Sequence, residues 1–365
     1  MIFSRETRKI PFNNLTVTWI IFVLFMGLST IFAYFPDAAI EQYIKIIKIQ
    51  FVAFLTLSLI TDIKKLNHLI WIIALSIGFF SVKGGAFTLL TGGAYKVWGP
   101  PDSFIEDNNS LAVAVLMTIP LMVYLYQISS HKLIRMGLAA GSVLSLFTII
   151  GSQSRGAFLA IAAVGFSYWI KSKHKMLTGL IIAILSIGLL AFAPESWYTR
   201  MDSIQNYQED ESALGRLNAW IYAYNVANDN LLGAGLNSWN LRTFLIYAPN
   251  PTDVHAAHSI YFSVLADHGW IGLFLFLLIF YLSWKKLKLL TKKTENDPDF
   301  YEMNLLAKKL QISFIAYFVG GAFLSLSYFD LPWHMVSFVV ILNRIFDEQQ
   351  KVTTESQTKL TPSSI

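Results

Sequence analysis

The chain has 365 residues, of which 55% are hydrophobic and only 14% charged, with a mean hydropathy of +0.51. Soluble domains carry about a quarter charged residues, so a soluble globular reading is excluded, together with the two or three domains that length alone would suggest. There is no cysteine, which excludes structural disulfides, thiol nucleophiles and Cys-ligated metals. The formal charge of +5 suggests nucleic acid only until its positions are counted.

A membrane-spanning helix needs roughly 20 mostly apolar residues. Ten such stretches are predicted, at 15–35, 44–61, 68–82, 109–128, 133–150, 155–170, 176–193, 259–284, 309–327 and 333–347. The first follows the basic run "SRETRK" but exceeds the about 7–15 apolar residues of a signal peptide, so it reads as a retained span. Lys45 and Lys48 interrupt the second, where they either snorkel or face the protein interior. The eighth contains "ADHGW", which predicts a tilt or a break. The expected fold is all-α: one polytopic membrane domain over residues 1–350, then a polar, disordered tail over 351–365.

Lysine and arginine accumulate in cytoplasmic loops. One alternate set of connections, containing both termini and counting Lys309 and Arg344 at the ends of their spans, carries 20 Lys and Arg; the opposite set carries 6, namely Lys83, Lys96, Arg155, Arg200, Arg216 and Arg242. This asymmetry predicts both termini inside and two long outer segments, 83–109 and 194–258. It assigns the positive charge to topology rather than to nucleic acid.

The outer segments and their borders hold the residues with chemical potential. "KGG" and "TGG" read as flexible turns, with Lys83 as a phosphate contact. In "GPPDSFIEDNNS", Gly99, Pro100 and Pro101 set a rigid turn, and Asp107, Asn108 and Asn109 are either helix caps or substrate ligands. In "GSQSRGAFLA", Arg155 sits at a membrane edge: five donors in a planar fork suit phosphate, although a headgroup contact explains it equally well. "ESALGRLNAWIYAYNVANDNLLGAGLNSW" places Leu214, Leu217, Ile221 and Tyr224 at helical spacing, with Ser212 as the cap and Gly233 and Gly235 ending the pattern. Its greasy face either packs on the spans or lies in the interface. Arg216 falls in the first turn, where a cation opposes the helix dipole; Trp220 follows one turn later. In "DVHAAHSIYFSVLADHGWIGL", His255 and His258 are three apart. Two histidines without a third ligand are a poor metal site, so a general base is the better reading, with a polar-belt pair as the alternative.

Three of these blocks, "GSQSRGAFLA", "GRLNAWIYAYNVANDNLLGAGLNSW" and "HSIYFSVLADHGWIGLFLFLL", resemble in order and spacing the O-antigen ligase and polymerase superfamily of bacterial membrane glycosyltransferases. The block "KGGAFTLLTGGAYKVWGPPDSFIEDNNSLAVAVLMTIPLMVYLY" is similar to a narrower group, the O-glycosylation ligases associated with exosortase A. The resemblance covers about residues 10 to 345. It implies a GT-C-type enzyme with up to twelve spans, needing no metal or other cofactor. That enzyme moves a glycan from an undecaprenyl-diphosphate carrier to a protein, lipid or polysaccharide acceptor at the periplasmic face of the inner membrane. By the matched motifs it implies Arg155, Arg216 and His258 as catalytic residues. Lys83, Asp107, Asn108, Asn109, Trp220 and His255 complete the expected substrate-binding set. Asn230 and Asp267 depart from the pattern, standing where relatives often have proline and glutamate. A repeat-unit polymerase shares these motifs and differs in its acceptor. A transporter or flippase predicts an internal repeat, and none is evident in the sequence.

Overall fold

The computed structural model of the chain describes residues 11–172, 174–191, 198 and 211–360. Among these residues the fold is all helical, with no strand. Twelve α-helices are used below: α1 (Asn14–Ile31), α2 (Pro36–Leu59), α3 (Ile63–Leu90), α4 (Asn108–Ile128), α5 (Lys132–Gly151), α6 (Arg155–Lys171), α7 (Lys175–Ala191), α8 (Glu211–Asp229), α9 (Leu241–Tyr247), α10 (Ile260–Lys293), α11 (Tyr301–Gly321) and α12 (Asp330–Leu360). Each of the ten predicted stretches falls on one of them. Six (α1, α2, α3, α4, α5 and α10) are long and apolar enough to cross a membrane, and α6 and α7 carry shorter apolar runs. The protein is a multi-pass membrane protein. Of the predicted outer segment 194–258, residues 194–197 and 199–210 lie outside the described residues.

The helix starts follow local chemistry. Asn13 and Thr16 form a reciprocal capping box at α1. Pro36 opens α2, where its missing N–H costs nothing. The Asp107 carboxylate accepts from the amides of Asn109 and Ser110 at the start of α4. Ser154 does the same for Ala157 in α6.

Packing is centred on α4, whose residues Leu111 to Met117 are all buried. A helix that is apolar all round belongs in an interior, and α4 packs against α3, α5, α6 and α11. A second focus joins α1, α10 and α12, where Phe22, Phe276, Phe280 and Trp333 cluster with ring centroids 5.0–6.1 Å apart.

Three expectations about boundaries change. α3 continues through Lys83 to Leu90 instead of ending at 82. Gly84 and Gly85, read as a turn, are packing glycines: a Cβ on Gly85 would lie 2.0 Å from the Leu144 carbonyl oxygen of α5. α12 runs to Leu360, into the stretch read as a disordered tail; between Asp330 and Leu360 proline occurs only at 332, in the first turn, and there is no glycine to end the helix. Lys45 and Lys48 are exposed rather than interior, and Lys45 pairs with Glu41 at 3.0 Å one turn away.

The break in α10 matches the expectation from "ADHGW". Gly269 adopts φ 65°, ψ −169°, a region open essentially to glycine. The break frees carbonyls that a continuous helix would use. Ala266 O accepts from Ala234 N at 2.8 Å and Asp267 O from Gly235 N at 3.1 Å. The turn after α8 thus docks backbone to backbone on the break, which is what Gly233 (φ 72°) and Gly235 (φ 81°) permit. A Cβ on Gly233 would lie 2.6 Å from the Ala266 oxygen.

Candidate active site

The N-termini of α4, α6 and α10 and the N-terminal half of α8 meet at one end of the bundle. Arg155 is the first residue of α6, half-buried, and follows a turn in which Gln153 has φ 55°. Three bonds hold that turn. Asn108 Nδ2 donates to the Ser152 carbonyl at 2.6 Å, Gln153 Nε2 to the Gly93 carbonyl at 3.3 Å, and the Val97 amide to the Gly151 carbonyl at 3.0 Å. The "GPPDSFIEDNNS" and "GSQSR" segments therefore form one unit. Asp107 plays the capping role open to it from sequence, Asn109 supplies one of the amides it caps, and Asn108 orients the arginine turn.

α8 acts as a ruler for the histidine segment. Asn218 donates to the carbonyls of Asn250 and Asp253 at 2.8 and 2.9 Å and accepts from the Asn250 amide at 2.9 Å. Trp220 Nε1 donates to the Ala257 carbonyl at 2.8 Å, and its ring stacks on Phe262 at 4.8 Å. Trp220 thus fixes the peptide that precedes His258, and Phe262 fixes Trp220. A Trp220→Phe variant keeps the stack and loses the donor; it is expected to lose about 1 kcal/mol of stability and to reduce activity by more than this change accounts for, measured by thermal unfolding beside a transfer assay.

His258 itself has φ 43°, uncommon for any residue but glycine and tolerated best by Asn, Asp and His. It is half-buried, and burial is the largest influence lowering its pKa from the ordinary 6.5. The Arg216 charge lowers it further, Asp107 pulls it back up, and His255 lowers it. Arg216, Asp107 and His255 therefore all lie within electrostatic reach of His258. His255 packs over Gly215, where a Cβ would lie 3.0 Å from Nδ1, and that same Nδ1 meets the Asp253 carboxylate at 2.6 Å. His255 orders the loop next to Arg216, while His258 stands within reach of both Arg216 and Asp107. α8 is described from Glu211 onward, so Ser212, read as its cap, lies inside the helix.

Lys83 joins none of these interactions among the described residues. It lines an apolar groove between α3 and α5, with Phe79, Val82, Met122 and Gly141.

Sequence reasoning missed a buried polar chain beneath the site. The Tyr328 hydroxyl donates to Asp267 Oδ2 at 2.8 Å and meets His268 Nε2 at 2.8 Å; His268 Nδ1 meets Ser29 Oγ at 2.6 Å. All four side chains are buried. The signal in the sequence was the adjacent pair Asp267 and His268 inside an apolar run, since ionisable residues there are rare without a partner. The chain braces the first two turns of α10, which begin immediately after His258. Ser327 Oγ donating to the Ile260 carbonyl and Tyr261 donating to the Phe318 carbonyl complete the brace.

One end of the molecule thus holds two arginines on separate helices, a histidine whose neutral form is favoured by burial and by a neighbouring cation, and a carboxylate that caps a helix. Such a set has the chemistry to bind an anion and to accept a proton. No curated protein matches the chain. Residues 1–130 match a family of unknown function. Residues 140–277, which contain Arg155, Arg216 and His258, match the family described as O-antigen ligase.

Proposed function

We propose that the protein is a membrane glycan ligase. It takes a glycan from an undecaprenyl-diphosphate carrier and attaches it to an acceptor hydroxyl at the periplasmic face of a bacterial inner membrane, with ten spans and both termini cytoplasmic. The observation that supports this best is the convergence of His258 with Arg216 and Asp107, beside the turn that carries Arg155, all within or next to the matched region.

In the reaction, the bond between the anomeric carbon and the carrier phosphate oxygen breaks, and its electron pair stays on the diphosphate. Arg155 and Arg216 bind the diphosphate and offset the charge that grows on it, commonly the largest catalytic contribution. The acceptor oxygen attacks the anomeric carbon from the opposite side, and its proton passes to His258. Single displacement inverts the anomeric centre.

A base must be neutral to accept a proton. Activity is therefore expected to fall as pH drops through the depressed pKa of His258, below 6.5. Asp107 holds that pKa up. The Asp107→Asn variant, which keeps an N-cap side chain, should shift the acid limb of kcat/KM to lower pH; a shift to higher pH contradicts the assignment.

The test of the function is deletion of the gene and complementation, with lipid-linked and attached glycans followed by mass spectrometry. Full-length lipid-linked chains that accumulate while attached glycan disappears support the ligase. Lipid-linked single repeats without long chains indicate a polymerase. An unchanged lipid-linked pool with normal glycans refutes both and returns attention to transport.

A further inference from the structure

α8 has two apolar faces, and only one of them is used inside the protein. Ala219, Tyr222, Ala223 and Val226 are buried in a small cluster with Phe244 and Ala266. Leu214, Leu217, Ile221 and Tyr224 form the other face, each 39–50% exposed. Their spacing of three, four and three residues makes a single stripe along the helix. Isolated exposed leucines are ordinary, but a contiguous stripe marks an interaction surface.

The stripe does not end at α8. The Tyr224 ring meets Trp270 edge to face with centroids 6.0 Å apart, and Trp270 Nε1 donates to Asn228 Oδ1 at 3.0 Å. Trp270 is the first residue after the α10 break. It opens the exposed apolar stripe of a membrane-spanning helix, continued one turn on by Phe274, which is 61% exposed. The outward face of α10 is solvated by lipid. The surface of α8 is continuous with it through a tryptophan and a tyrosine, the residues that favour the level where chains meet headgroups.

We propose that α8 is a membrane-embedded interfacial helix, lying with its Leu214–Tyr224 stripe in the hydrocarbon edge of the adjacent leaflet. The partner is the lipid bilayer itself. Interfacial helices bury an apolar face some 5–10 Å into the boundary between headgroups and chains. Arg216 lies in the same turn as Leu214 and Leu217, so embedding the stripe holds its guanidinium at the level of lipid phosphates. The proposal stands on the exposed stripe and its continuity with α10, independently of which reaction the site performs.

The chain lacks cysteine, so single spin labels can be placed in the full-length protein without background. Leu217→Cys and Ile221→Cys carry the test in proteoliposomes. Phe274→Cys serves as the lipid reference, and Thr252→Cys, exposed in the loop, as the aqueous reference. Collision with oxygen is compared with collision with a water-soluble nickel chelate. The expected result is that labels at 217 and 221 behave like 274, accessible to oxygen and shielded from nickel. Nickel accessibility like that of 252 overturns the proposal by placing the face in water. Shielding from both reagents also overturns it, because the face is then covered by protein.

Discussion

His258→Asn is expected to lower glycan transfer by about 10²–10⁴-fold, the range typical of a lost general base. The accompanying sign is accumulation of the lipid-linked donor. Asparagine is the informative replacement. It tolerates the φ of 43° held by His258, so the loss reports chemistry rather than backbone strain. Arg155→Ala and Arg216→Ala should each cost on the order of 10²–10³-fold, as when a fixed donor to a developing anion is removed. Each variant should remain in the membrane at normal abundance, because Arg155 and Arg216 are half-buried and belong to neither apolar cluster. Wild-type transfer by any of the three, measured with purified lipid-linked donor, refutes the role given to that residue.

Gly269→Ala is the second large effect, and it acts on the fold before the chemistry. The residue sits in a conformation that costs an L-residue about 1–3 kcal/mol. An added Cβ would also meet the Leu231 carbonyl oxygen at 2.5 Å and the Asn230 carbonyl oxygen at 3.1 Å. Both atoms are backbone, so neither can step aside as a flexible side chain would, and overpacking adds about 1–3 kcal/mol. The expected outcome is a destabilisation of several kcal/mol, on the order of 3 or more, together with loss of transfer. The turn docked on the break connects α8, which carries Arg216, to the half of α10 that follows His258. Thermal unfolding in detergent checks the first effect. Gly188→Ala, at a helical glycine with open space around it, is the control and should be nearly neutral.

The helices were legible because apolar runs of spanning length leave the backbone little choice. The break in α10 was legible because "DHG" puts polar residues and a glycine inside such a run. The end of α3 was not. Gly84 and Gly85 carry the same letters whether they turn a chain or let two helices touch, and only the partner helix α5 decides. At the site, residue types and the matched motifs let Arg155, Arg216 and His258 be named as candidates. Their convergence was not legible, because it depends on Asn108 reaching Ser152 and on Asn218 and Trp220 reaching the 250–257 segment, contacts with no local sequence signature. Lys83 was read from residue type and position alone, and its helix carries it to the apolar groove with Phe79, Val82, Met122 and Gly141.

The buried chain from Ser29 through His268 and Tyr328 to Asp267 has a consequence for biogenesis. Ser29 and His268 are 239 positions apart in sequence, and Tyr328 follows another 60 residues later. Contacts of such separation form late, and long-range closure slows folding. The first helix enters the bilayer early in synthesis, yet its buried hydroxyl finds its imidazole only once most of the polypeptide has left the ribosome. On the proposed function, the end that holds Arg155, Arg216 and His258 is therefore expected to assemble last, and a nascent or truncated chain that has already entered the membrane is expected to show no transfer.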